Sequence, residues 1–122
     1  MKDKILGGEF FNSKTVKVAE RLIGCFLCRK TNSKTFRHKI TETEAYIGPH
    51  DLACHSSKGK TPRNAPMFEQ AGTIYVYFVY GMHFMLNIVT EKKGFPSAVL
   101  IRGVEGISGP GRVTKKLKID KK

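Results

Sequence analysis

Thr41-Glu42-Thr43-Glu44-Ala45-Tyr46 sets two carboxylates and an aromatic ring at alternate positions of an otherwise basic chain, and Thr73-Ile74-Tyr75-Val76-Tyr77-Phe78-Val79-Tyr80-Gly81 carries the other three tyrosines. In an extended segment side chains alternate faces, so Ile40, Glu42, Glu44 and Tyr46 are expected on one face, with successive residues roughly 7 Å apart. A carboxylate can take a proton from water as a general base, and a neighbouring aromatic ring can stack on an extruded nucleobase. Acid beside aromatic therefore suits chemistry on a flipped base. Taken without their surroundings, Glu42 and Glu44 read more plainly as charges on a solvent face.

Those residues need a frame. Phe10-Phe11 followed by Asn12-Ser13 predicts an apolar anchor entering a capped helix, with Val16, Ala19, Leu22 and Ile23 as its apolar stripe and Gly24 as its end. Cys25 to Lys30 and Phe36 to Ile47 read as strands separated by the polar turn Thr31-Asn32-Ser33-Lys34. Gly48-Pro49 breaks the second strand, His50 to Ser56 suits one short helical turn, and a loop rich in Lys, Gly, Thr, Pro and Asn follows. Thr73 to Tyr80 and Phe84 to Val89 predict a β-hairpin around Gly81, and a further strand from Ala98 to Gly103 brings Arg102 back toward the sheet. The expected architecture is α+β: one domain with a mainly antiparallel curved sheet, short helices and a protruding hairpin, and a basic C-terminal segment over 109–122.

The 122 residues suffice for a single hydrophobic core. Lys and Arg number 22 against 10 Asp and Glu, and the net charge of +12 favours a polyanionic partner through phosphate attraction and counterion release. Arg112, Lys115, Lys116, Lys118, Lys121 and Lys122 concentrate charge near the end, where a solvated tail and a phosphate contact are equally good readings. Cys25 and Cys28 have C-x-x-C spacing, but Cys54 is the only other cysteine and no second pair completes a zinc site, so Cys25-Phe26-Leu27-Cys28 reads as half-buried strand. Three cysteines and an N-terminus without a secretory core favour a reducing, intracellular setting, and the apolar runs are too short to cross a membrane.

The blocks ETEAYIGPHDLACHS, KTPRNAPMF, GTIYVYFVYGMHFMLNI and AVLIRGVEG, in that order, resemble the alkyladenine (3-methyladenine) DNA glycosylase family, in a shortened form that lacks the customary portion after Leu117-Lys118-Ile119-Asp120. The resemblance implies a monofunctional enzyme that flips alkylated or deaminated purines out of double-stranded DNA and hydrolyses the N-glycosidic bond, with no cofactor, no metal, no membrane and no obligatory protein partner. It implies that Glu44 is the general base, Glu42 a supporting charge, and Arg102 a group positioning water or acting on the phosphate side. It implies further that Tyr46 stacks on one side of the purine while His55 and Tyr77 cover the other. Asn87 would disfavour guanine, Tyr80 would fill the gap left by the flipped nucleotide, and Thr61, Arg63, Met67 and Met82 would lie against the DNA.

Each of these has a plainer reading: Tyr46, His55 and Tyr77 as packing residues, Asn87 as a partner of strand backbone, Arg102 as a structural ion-pair residue, and Tyr80-Gly81 as turn packing. Two other functional classes use the same sequence. A catalytically weak or inactive damaged-DNA-binding protein would keep the tyrosines without productive water alignment, and a basic DNA-binding module would lack selectivity for a flipped base.

Overall fold

A continuous apolar run, Ala98-Val99-Leu100-Ile101, can be buried on both faces only at the centre of a sheet, and that is its place. The computed structural model describes residues 6–31, 34–47, 68–79, 83–117 and 119. It contains β1 (Phe26–Thr31), β2 (Lys34–Ile47), β3 (Ile74–Val79), β4 (His83–Val89), β5 (Ser97–Val104) and β6 (Ile107–Ser108), with helices α1 (Gly8–Phe11), α2 (Thr15–Leu22) and α3 (Pro110–Leu117). The antiparallel sheet has the order β1-β2-β5-β4-β3, and β6 pairs with the end of β5. Arg102 is the one exposed residue of β5.

The two ends of β2 have different partners. Residues 34–39 pair with β1, and the stretch from Ile40 to Ile47 pairs with β5. At the changeover the ladder is irregular: Ile40 pairs with Val104, Glu42 with Gly103 and Thr43 with Ile101. Strict alternation would put Ile40 on the same side as Glu44 and Tyr46. Instead Ile40 is buried in the same core against which Ala45 packs, and the Thr43 hydroxyl donates to the Ala19 carbonyl of α2 at 2.9 Å. The irregularity shifts the side-chain phase, which corrects the expectation that Ile40, Glu42, Glu44 and Tyr46 form one face.

The helices pack on one side of the sheet. Val18, Ala19 and Leu22 of α2 and Val113 and Leu117 of α3 meet Ile40, Leu86, Ile88, Val99, Ile101 and Val104. The other side holds a smaller cluster of Tyr75, Val89 and Ala98, with Tyr46 and Phe68 packed against it. The α2 stripe differs from expectation: Thr15, Val18, Ala19 and Leu22 are buried, whereas Val16 and Ile23 are 50% and 47% exposed. Thr15 opens an i, i+3, i+4, i+7 series, and a hydroxyl at its head hides that register from a count of apolar residues. Gly24 follows the helix with φ 92°, a left-handed turn that favours glycine.

The start of α2 is also not capped by Asn12 or Ser13. Lys14 holds the cap position without a side-chain hydrogen bond, and the Glu91 carboxylate, from the β4–β5 connection, accepts from the Thr15 backbone N–H at 3.1 Å and from the Thr15 hydroxyl. The Thr90 and Ser97 hydroxyls extend this buried network at 2.9 and 3.1 Å. Glu91 itself has φ 62°, a conformation that costs a non-glycine residue on the order of 1–3 kcal/mol. The link ties α2 to the sheet from 76 positions away in sequence.

Candidate active site

Residues directly paired across antiparallel strands project to the same face. Glu44 pairs with Leu100, Leu100 with Asn87, and Asn87 with Tyr75, giving one row that crosses β2, β5, β4 and β3. The adjacent row runs from Tyr46 through Ala98 to Val89. Tyr75, Asn87 and Leu100 are buried, each 2–3% exposed, so they floor the surface at whose edge Glu44 stands. Its side chain retains 35% of its exposure, which leaves a carboxylate open to water and supported from beneath.

Two neighbours hold that carboxylate. Arg102 Nη1 donates to Glu44 Oε2 at 2.9 Å, and the Tyr46 hydroxyl donates to Glu44 Oε1 at 2.7 Å. Arg102 Nε stands 3.5 Å from Glu42 Oε1, so a single guanidinium serves both acids. Arg102 can reach both because the irregular pairing matches Ile101 with Thr43 and Gly103 with Glu42, leaving Arg102 between two ladder positions. At these exposures an ion pair contributes about 0–1 kcal/mol to stability, so its main effect is to fix the direction of the carboxylates.

Gly103 is required by the same arrangement. A Cβ there would collide with the Glu42 carboxylate, lying 2.9 Å from its Cδ. A glycine inside a strand pattern marks a bulge or a close approach, and this one could have drawn attention in the sequence; it was not among the expected site residues. Tyr75 and Leu100 were missed as the floor because aromatic and aliphatic residues in strands look alike whether they fill a core or support a site.

The expected residues fall into three groups. Glu44, Glu42, Tyr46 and Arg102 are brought together. Asn87 lies on the Glu44 row, but its Nδ2 donates to the Met85 carbonyl at 3.1 Å, the backbone-satisfying role that was the plainer reading. Of Tyr77 the structure describes the backbone, paired with Met85. His55, Thr61, Arg63, Met67, Tyr80 and Met82 lie outside the described residues. Tyr46 also has a packing role, since its ring is half-buried against the Tyr75, Val89 and Ala98 cluster. Cys25 and Cys28 are free thiols, half-buried and exposed respectively. Among the described residues no group of three His, Cys, Asp or Glu side chains is placed to hold a metal ion, and no helix is long and apolar enough to cross a membrane.

Comparison with known proteins gives the family. The profile of the methylpurine-DNA glycosylase family matches residues 9–109. The chain belongs to that family. A provisionally named 3-methyladenine DNA glycosylase of Legionella pneumophila (strain Paris) is 48% identical over 93% of this chain and 66% of its own length. Similarly named proteins of Sodalis glossinidius and Chlorobium luteolum are 45% and 51% identical, over 99% and 85% of this chain and 73% and 54% of theirs. The chain thus spans between about half and three quarters of the length of these methylpurine-DNA glycosylase relatives. Glu42, Glu44, Tyr46, Asn87 and Arg102 all lie within the matched segment.

Proposed function

We propose that the protein is a monofunctional DNA glycosylase of base-excision repair, which flips alkylated or deaminated purines from duplex DNA and hydrolyses their N-glycosidic bond. The observation that carries the reading is the Glu44 carboxylate, half-exposed at the edge of a buried floor and fixed by Arg102 and Tyr46. An ionised carboxylate has about four lone-pair sites. Two are used by the protein donors, and the rest remain for a water.

In the proposed reaction that water gives a proton to Glu44 as its oxygen bonds to the sugar C1′. The bond from C1′ to the purine nitrogen breaks, its electron pair leaves with the base, and alkylation or protonation of the purine eases the departure. The products are free base and an abasic site. Positive charge develops on the sugar in the transition state, and the Glu42 and Glu44 carboxylates favour it electrostatically. Arg102 acts by holding both acids in register.

The extruded purine would stack on Tyr46, with His55 and Tyr77 on its other side, beside Asn87. Tyr80 would fill the vacated stack, and Thr61, Arg63, Met67 and Met82 would meet the DNA backbone. Stacking of about 1–3 kcal/mol per base is set against a flipping cost of a few kcal/mol, least for a damaged or mispaired base. Hence damage is selected partly by how readily it leaves the helix.

One observation favours a second reading. The Tyr46 hydroxyl is spent on Glu44 and its ring packs into the sheet cluster, an arrangement that also suits a protein that binds damaged DNA with little or no excision. A single-turnover assay on duplexes containing hypoxanthine or 1,N6-ethenoadenine separates the two. The glycosylase reading predicts release of free base and alkali-labile abasic sites. Selective binding without base release would establish the second reading in its place.

A further inference from the structure

We propose that Thr43 is a positioning residue for the candidate active site: its hydroxyl, bonded to α2, sets the distortion of β2 that turns both Glu42 and Glu44 onto Arg102. The effect on excision rests on the glycosylase reading above, whereas the placement of the two acids can be measured without it.

The last four carbonyls of an α-helix have no partner within it. In α2 these belong to Ala19, Glu20, Arg21 and Leu22, and each finds a different donor. The Ile23 N–H donates to the Glu20 carbonyl at 3.3 Å instead of continuing the helix to Ala19. Cys25 serves two others, its N–H donating to Leu22 at 2.9 Å and its thiol to Arg21 at 3.3 Å. The Ala19 carbonyl is taken by the Thr43 hydroxyl at 2.9 Å. The end of α2 is thereby joined to the strand that carries the acids.

Two ties to the end of α2 bracket the irregular part of the ladder. On one side the Ile40 N–H donates to the Cys25 carbonyl at 2.8 Å, and the Gly24 N–H donates to the Ile40 carbonyl at 2.9 Å. On the other side stands Thr43. A regular ladder through the pairs Ile40–Val104 and Thr43–Ile101 would set Glu42 opposite Arg102, yet Glu42 pairs with Gly103. The displacement is thus confined between the two tied residues. Thr43 turns toward the helices to reach Ala19, and its neighbours Glu42 and Glu44 turn the other way, where the Arg102 guanidinium meets them at 3.5 and 2.9 Å. A β-branched side chain is stiff at χ1, so a bond to its hydroxyl also fixes the backbone that carries it. A threonine that only capped α2 would contribute to stability and leave the two acids where they are.

Thr43→Val keeps the branched shape and removes the hydroxyl, whereas Thr43→Ser keeps the hydroxyl. Thr114→Val is the control, because the Thr114 hydroxyl also joins a helix to the sheet, donating to the Phe84 carbonyl at 2.7 Å, but on β4, a strand without acidic residues. The carboxyl-carbon NMR resonances of Glu42 and Glu44 in the free protein report their placement. Single-turnover excision from a duplex containing hypoxanthine or 1,N6-ethenoadenine reports the consequence. Thr43→Val is expected to shift both resonances and to slow excision by about 10–100-fold with affinity for the lesion duplex kept, and Thr43→Ser to return both toward wild type. Thr114→Val should change neither in the folded protein. On an Arg102→Gln background Thr43→Val should add little, since the two changes disable one arrangement. Unmoved resonances in Thr43→Val, equal movement in Thr114→Val, an undiminished rate from an active wild type, or full additivity with Arg102→Gln overturns the proposal. If the resonances move as expected but wild type releases no base, the glycosylase reading fails and the positioning of the acids by Thr43 stands.

Discussion

At the scale of single residues, the arrangement around Glu44 makes graded demands. Tyr46→Phe removes only the hydroxyl that donates to Glu44 Oε1; a stability loss of about 0.5–1.5 kcal/mol is expected, with excision slowed several-fold because the carboxylate keeps its Arg102 partner. Gly103→Ala is expected to be mild for stability and severe for activity. The atoms it would displace belong to the end of the Glu42 side chain, which can swing aside at little cost, but only by leaving Arg102. A change in melting temperature of a few degrees with at least a tenfold fall in the single-turnover rate would match that account; unchanged activity would mean that Glu42 has no supporting role. The sequence made Glu42, Glu44 and Tyr46 visible because acids and an aromatic alternate in a strand pattern. It did not make Gly103 stand out, since its significance depends on which side chain lies across the ladder.

At the scale of elements, the least legible features are those set by partners distant in sequence. The antiparallel pairing of β3 with β4 follows from the alternation of their residues and appears as expected, while the turn itself lies outside the described residues. The capping of α2 does not follow, because Glu91 supplies the acceptor from beyond β4 while Asn12 and Ser13 stand nearer in sequence. The phase shift in β2 is equally hidden: Ile40-Thr41-Glu42-Thr43 alternates well as a sequence, and only pairing with Val104, Gly103 and Ile101 reveals the irregularity. Glu91 offers a direct test. Glu91→Ala loses the cap yet keeps the left-handed backbone, so a loss of about 1–3 kcal/mol is expected by denaturant melts. Glu91→Gly loses the same cap but relieves the backbone and should be the milder substitution. If glycine is the more destabilising of the two, strain at position 91 is not a significant cost.

At the scale of the whole molecule, the fold divides labour between the two sides of one sheet. The helices cover the side containing the main core, and the opposite side presents the Glu44 row. The α+β class and single domain were readable from length and pattern, whereas the central position of β5 between β2 and β4 was fixed by burial on both its faces. A net charge of +12 predicts that binding of lesion DNA weakens steeply between 50 and 200 mM salt, while the excision rate at saturating protein changes little, because salt acts on assembly and not on the held carboxylate. A chemical step that slowed in parallel with binding would argue against that separation. The most direct measurement of the central claim is the single-turnover excision rate of Glu44→Gln on a duplex containing hypoxanthine or 1,N6-ethenoadenine, alongside its affinity for that duplex. Glutamine has nearly the same shape but cannot act as a carboxylate base, so the rate is expected to fall by about 10²–10⁴-fold with lesion binding retained. A folded variant that excises at the wild-type rate would contradict the assignment of Glu44 as the base.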